Sequence, residues 1–145
     1  MKLFSAILFA TFAFTPVVWK TDFNEAKLEA QKTNKTILVN FSGSDWCLPC
    51  IQLKKKYFDS EVFNSYASEN LVLVNADFPR QNKHKLSSQQ KKINEDLADK
   101  YNHDGKFPYT ILVTADGKVL KEWDGLPDVS AEQFVDEIKQ ANAHR

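Results

Sequence analysis

The chain has 145 residues, 43% apolar and 26% charged, which suits one domain around a single core. Its 19 basic and 19 acidic side chains cancel, so composition implies no polyanion partner and gives nucleic-acid binding no support. Repeats and low-complexity tracts are absent.

Met1-Lys2 and the apolar run Leu3 to Phe14, broken only by Ser5 and Thr11, read as the charged start and apolar core of a signal peptide. The run is shorter than the ~20 apolar residues a membrane span needs. No cysteine follows it to carry a lipid, and Thr11-Phe12-Ala13 is the nearest small-x-small cleavage pattern. An uncleaved anchor and a buried first strand are the other readings. The expectation is a leader over residues 1–18 and a folded domain over residues 19–145.

Thr21 or Asp22 caps a helix to about Asn34, with Phe23, Ala26 and Ala30 on one face. Thr36 to Phe41 is nearly all apolar, the pattern of a strand covered on both sides. The cysteine pair follows, then a helical segment Ile51 to Phe58 whose Lys54-Lys55-Lys56 marks the solvated face. Asp59-Ser60 starts a helix from Glu61 to Ser68, with Val62, Phe63 and Tyr66 inward. Leu71 to Ala76 is a second buried strand. Asp77 to Ser87 is a loop, with Phe78-Pro79-Arg80 at its start and Lys83-His84-Lys85 within. That basic loop reads as a solvated connection, with substrate binding as the alternative.

Ser87 or Ser88 caps a helix to Tyr101 that lines up Ile93, Leu97 and Tyr101. Asn102 to Lys106 is a turn. Strands Tyr109 to Thr114 and Lys118 to Trp123 are joined by a two-residue hairpin at Asp116-Gly117. Ser130-Ala131-Glu132-Gln133 fits a capping box for a last helix with Phe134, Ile138 and Ala141 inward. This order makes one layered α/β domain, and the closing hairpin makes its sheet mixed.

Cys47 and Cys50 are the chain's two cysteines, set between a strand and a helix. That is the context of a redox motif. A helix N-terminus carries unpaired N–H groups and partial positive charge, which favour a thiolate. Cys47 is thus the candidate nucleophile and Cys50, one turn on, the resolving thiol. Half a zinc site is disfavoured: four ligands are needed, and His84, His103 and His144 stand at no ligand spacing. A purely structural disulfide is disfavoured because so short a loop gains little from closure. In an oxidising compartment two such cysteines make poor staples and better sense as a redox couple.

Trp46-Cys47-Leu48-Pro49-Cys50 after an apolar strand resembles the thioredoxin superfamily signature. Phe107-Pro108-Tyr109-Thr110, before another strand, resembles the cis-proline segment that faces the disulfide in that superfamily. Phe41 to Cys47 and Val74 to Arg80 look like the exported bacterial thioredoxin-like disulfide oxidoreductases, including the DsbH-like type. The likeness runs from about Trp19 to the C-terminus.

The resemblance implies a single-domain thioredoxin fold, an α/β architecture with a central mixed β-sheet flanked by helices. It implies that the Cys47–Cys50 disulfide is itself the redox group, with no metal and no other cofactor. Partners would be disulfide-containing protein substrates and a membrane thiol donor of the DsbD type. The protein would be monomeric and periplasmic or secreted. Trp46, Phe107 and Pro108 would bind substrate: a cis Pro108 would hold the Phe107 backbone open to pair with a substrate strand, and Trp46 would cover the disulfide. Ordinary core packing for Trp46 and a trans edge proline for Pro108 are the plainer alternatives.

Two departures stand out. The buried Asp that thioredoxin carries before the motif is matched here by Asn40, which cannot titrate. One residue is also inserted in Ser42 to Asp45. Leu48-Pro49 holds no charge to stabilise the thiolate further, and its proline matches thioredoxin's own motif, which points to a reductase or isomerase. The competing readings are a disulfide-forming oxidase, a non-catalytic polypeptide-binding module and a copper or zinc carrier.

Overall fold

In the computed structural model, which describes residues 17–145, the strands pair around one fully buried segment. That segment is β2, Thr36–Ser42, and all seven of its residues are buried. Parallel to it lies β3, Leu71–Asp77, and antiparallel on its other side lies β4, Tyr109–Val113. β5, Val119–Asp124, pairs antiparallel with β4 at one edge. β1, Trp19–Lys20, pairs parallel with β3 at the other, giving the order β1-β3-β2-β4-β5. The sheet is mixed, as its hairpin requires. β1 escapes sequence reading because two residues show no periodicity.

The pleat sends alternate residues of β2 to opposite layers. Ile37, Val39 and Phe41 face α1, Phe23–Thr33, and α4, Ser88–Tyr101. Leu38 faces the layer formed by α2, Leu48–Leu53, α3, Glu61–Asn70, and α5, Ala131–Ala143.

Helix starts follow their capping chemistry. The Asp22 carboxylate accepts the N–H groups of Asn24 at 2.7 Å and Glu25 at 3.3 Å. Ser87 caps α4, accepting the Gln90 N–H at 3.1 Å. Ser130 and Gln133 form the reciprocal box that starts α5.

The motif helix departs from expectation. It begins at Leu48 rather than Ile51 and passes into a π-helical turn at Lys54–Phe58. There the Asp59 N–H reaches back five residues to the Lys54 carbonyl at 2.9 Å. The widened turn buries both Tyr57 and Phe58 while Lys54, Lys55 and Lys56 stay exposed.

Other corrections are local. The hairpin loop has three residues, Ala115-Asp116-Gly117, closed by the Thr114 N–H on the Lys118 carbonyl at 2.9 Å. Gly117 stands at φ 94°, the left-handed residue such a loop requires. On α4, Asn94 and Leu97 are the fully buried residues, with Ile93 and Tyr101 half-buried. Apolar periodicity passes over Asn94, which is buried because its amide donates to the Asp77 carbonyl at 2.8 Å. On α3, Phe63 and Ala67 are buried, and Val62 and Tyr66 are half-buried. The leader expected over residues 1–18 lies outside the described residues except for Val17 and Val18. Among the described residues no helix is long and apolar enough to cross a membrane.

Phe134 is fully buried and touches the rings of Tyr57, Phe58, Phe63 and Trp123 at centroid distances of 5.1–6.4 Å. Phe134→Ala should lower unfolding free energy by about 3–5 kcal/mol in a urea titration, the usual cost of an aromatic cavity. A loss under about 1 kcal/mol would show that this layer repacks freely.

Candidate active site

β2 ends at Ser42, and the chain must turn at once into α2. Gly43 makes the turn possible: a Cβ there would lie far inside contact distance of the Trp46 indole. Cys47 then occupies the N-cap position of α2 with extended backbone, and its Sγ accepts the Cys50 N–H at 3.3 Å. The Cys50 Sγ accepts the Gly43 N–H at 3.5 Å. Cys47 and Cys50 form a disulfide with Cα atoms 5.3 Å apart. Their exposures, 5% and 4%, are too alike to distinguish attacking from resolving sulfur. Their surroundings do differ.

One side is an aromatic wall. Trp46 meets Phe107 edge-on at 5.5 Å, and Phe107 meets Phe78 edge-on at 5.3 Å. The Trp46 indole N–H donates to the Phe78 carbonyl at 2.7 Å. The Phe107-Pro108 peptide bond is cis, and Pro108 is buried beside this wall. Next to it the Tyr109 phenol is pushed up to about 12, first by burial and then by its bond to Glu122. Leu48 and Ile51 leave apolar side chains exposed beside the cysteines.

Behind Cys50 lies a cleft of about 370 Å³, lined by Asn40, Ser42, Asn75 and Lys54 together with Trp19 and Phe58. The Asn40 amide donates to the Asn75 side-chain oxygen at 3.0 Å and its oxygen accepts the Thr110 hydroxyl at 3.2 Å. None of the residues lining it is a carboxylic acid.

The loop after β3 forms the third wall. Asp45, whose side chain is 4% exposed, accepts the N–H groups of Arg80 at 2.9 Å and Gln81 at 3.0 Å and meets His84 Nδ1 at 3.0 Å. The Arg80 N–H holds its carboxyl below the ordinary range, helped by His84 and Gln81 and opposed by desolvation. Asp77 accepts the Ser44 N–H at 2.9 Å and its hydroxyl at 2.6 Å. The Arg80 guanidinium lies 3.6 Å from the centroid of the Trp46 ring. The segment expected as a solvated connection is therefore fastened to the cysteine loop, with a short 3-10 turn at Asn82–His84.

Sequence reading brought Trp46, Cys47, Cys50, Phe107 and Pro108 to one site, and the structure places all five together. It missed Asp45, Asp77 and Arg80, whose partners lie more than 30 residues away or stack through a ring. Among the described residues, no three His, Cys, Asp or Glu side chains are grouped to hold a metal.

A Cys-x-x-Cys disulfide at a helix N-terminus, on a loop whose Trp46 packs against Phe107 of the cis Phe107-Pro108 bond at the end of a mixed sheet, defines a thioredoxin-fold protein of the thiol–disulfide oxidoreductase class. The chain belongs to the thioredoxin-like domain family, which it matches over residues 23–142. Over 123 residues it is 32% identical to the disulfide bond reductase DsbH of Chlamydia pneumoniae, covering 85% of this chain and 71% of that one. Among solved structures it superposes on a DsbH oxidoreductase with TM-score 0.83 and 26% identity, covering 99% of this chain and 96% of that chain. A thioredoxin from Thermus thermophilus shares the fold, with TM-score 0.61 and 17% identity over 87% of each chain.

Asp45 supplies a pH test. A carboxyl whose folded pKa is depressed adds stability that is complete above its unfolded pKa and is lost as pH falls through the folded value. The stability gap between the native protein and Asp45→Asn should be full near neutral pH and close below pH 3.8, the ordinary value. Urea midpoints at several pH values would show it; a gap independent of pH would contradict the clamp.

Proposed function

We propose that the protein is an exported reductase of protein disulfides that works through the Cys47–Cys50 couple. The observation that carries this reading is the unequal setting of the two sulfurs. The Cys47 Sγ caps the helix and faces the Cys50 N–H, which favours a thiolate there once the disulfide is reduced. Cys50 lines the Asn40 cleft, and its Sγ accepts the Gly43 N–H.

Cys47 thiolate attacks one sulfur of the substrate disulfide. The substrate S–S bond breaks, a Cys47–substrate disulfide forms, and the other substrate sulfur leaves as a thiolate that takes up a proton. Cys50 loses its proton and attacks the Cys47 Sγ. The Cys47–Cys50 bond forms, and the second substrate sulfur leaves as a thiolate. Two electrons pass to the substrate, and a thiol donor must return the pair to its reduced state.

The reductase direction is supported by Leu48-Pro49, which places no charge beside the thiolate, and by the name of the C. pneumoniae relative. Trp46, Leu48, Ile51 and Phe107 leave apolar surface beside the cysteines for a polypeptide, and in this reading a substrate strand pairs with the Phe107 backbone. The apolar run Leu3 to Phe14 is the support for export, and a membrane thiol donor of the DsbD type is the proposed electron source.

Cys50→Ala should accumulate mixed disulfides on Cys47 that thiols release on a gel, whereas Cys47→Ala should give none. Insulin reduction should need both residues. Equilibrium against a dithiothreitol series should place the couple near about −270 mV, the thioredoxin end of the range. A value near about −120 mV would make the protein an oxidase.

A further inference from the structure

From Phe78 through Asn94 the chain carries no acidic residue, yet it carries Arg80, Lys83, Lys85, Lys91, Lys92 and His84. The whole chain has 19 lysines and arginines and 19 acidic side chains; without the five lysines and arginines of this segment, 14 stand against 19. The neutral composition therefore conceals a basic segment on an otherwise acidic molecule. Lys91 and Lys92 are paired within their helix with Glu95 and Asp96. Arg80, Lys83 and Lys85 form no ion pair among the described residues and are exposed.

Two acids adjoin the loop, Asp45 with its side chain buried and Asp77 lining the same groove, and the three unpaired cations outnumber them. Asp45 spends its oxygens on the Arg80 and Gln81 N–H groups and His84, and Asp77 spends its own on Ser44. These contacts also fix where the charge sits. Arg80 stacks on Trp46, the neighbour of Cys47, and a groove of about 490 Å³ runs on from it past Gln81, Lys85 and Lys91. A cationic track thus begins at the rim of the disulfide and leads away from it.

We propose that Arg80, Lys83 and Lys85 form a docking surface for an acidic segment of the protein substrate, adjoining the disulfide to be reduced. The proposal rests on the reductase reading for its substrate and on the loop's own charge for its chemistry. Charges at an interface rim act chiefly on the association rate, with strong dependence on salt.

The test uses reduced protein and three synthetic peptides with the same disulfide, flanked by Asp/Glu, by Ser/Gly or by Lys. Stopped-flow rates should favour the acidic peptide over the basic one by about tenfold or more at low salt. The preference should fade at 1 M salt, where the Debye length is about 3 Å. In the triple variant Arg80→Gln, Lys83→Gln, Lys85→Gln, the acidic-to-basic rate ratio should fall toward one. Equal rates in the native protein, or a preference that survives the triple variant, would overturn the proposal.

If no peptide is reduced, the redox reading fails, and the surface is judged separately. A cysteine-free acidic peptide carrying a fluorophore should then bind the native protein and not the triple variant, read by anisotropy; no binding overturns the docking surface. Tighter binding to phosphatidylglycerol vesicles or to single-stranded oligonucleotide than to the acidic peptide also overturns it.

Discussion

β2 is covered on both faces and paired on both edges, and the rest of the molecule is arranged by that constraint. A strand so placed must be apolar, and any polar group in it must find a partner inside the protein. Asn40 does so through Asn75 and Thr110. Strand directions then decide what meets at the end of β2. β3 runs parallel, with Asp77 beside Ser42, so the loop that follows it leaves at the same end. β4 runs antiparallel, with Tyr109 beside Phe41, so Phe107 and Pro108 arrive there. Three loops distant in sequence converge on the cysteines through sheet geometry alone.

Convergence by itself would leave loops free to move, and carboxylates fasten them. Asp45 and Asp77 each bridge the cysteine loop and the loop after β3 by charge-assisted hydrogen bonds. Using both acids inward has an outward consequence: the cations of that loop are left without partners. Net charge is blind to this. A chain of zero formal charge still carries one stretch, Phe78 to Asn94, with five lysines and arginines and no acid.

What was legible in the sequence was local. Asp22, Ser87 and Ser130 announce helix starts because a cap acts within three residues, and Thr36 to Phe41 announces a covered strand by lacking polar alternation. Trp46 to Cys50 is recognisable because its chemistry needs adjacent residues. What stayed hidden depends on distant pairing. β1 exists only because Trp19 and Lys20 lie beside Leu73 and Val74, and Asn94 is buried because Asp77 offers it a carbonyl. The π turn brings Tyr57 and Phe58 together against Phe134, a partner 76 or more residues away. Asp45 and Arg80 lie in the two segments that carry the family likeness, but their contact, across 35 residues, shows only in the fold.

Asn40 carries the chemical argument furthest. An ionised carboxylate at this depth would face Asn75, Trp19 and Phe58, with Lys54 the one cation lining the cleft, and desolvation would oppose its charged form. The amide meets the same space with both of its polar ends satisfied and no charge to hold. The cost is a fixed base: nothing lining the cleft behind Cys50 takes up a proton as a carboxylate does. Under the proposed reading, release of the Cys50 proton then depends on solvent reaching the cleft. Stabilisation of the reactive thiolate falls to the helix N-terminus at Cys47. Under that reading the disulfide is tuned by backbone geometry and access to water, and the side-chain charge stands at the rim, on Arg80 beside Trp46.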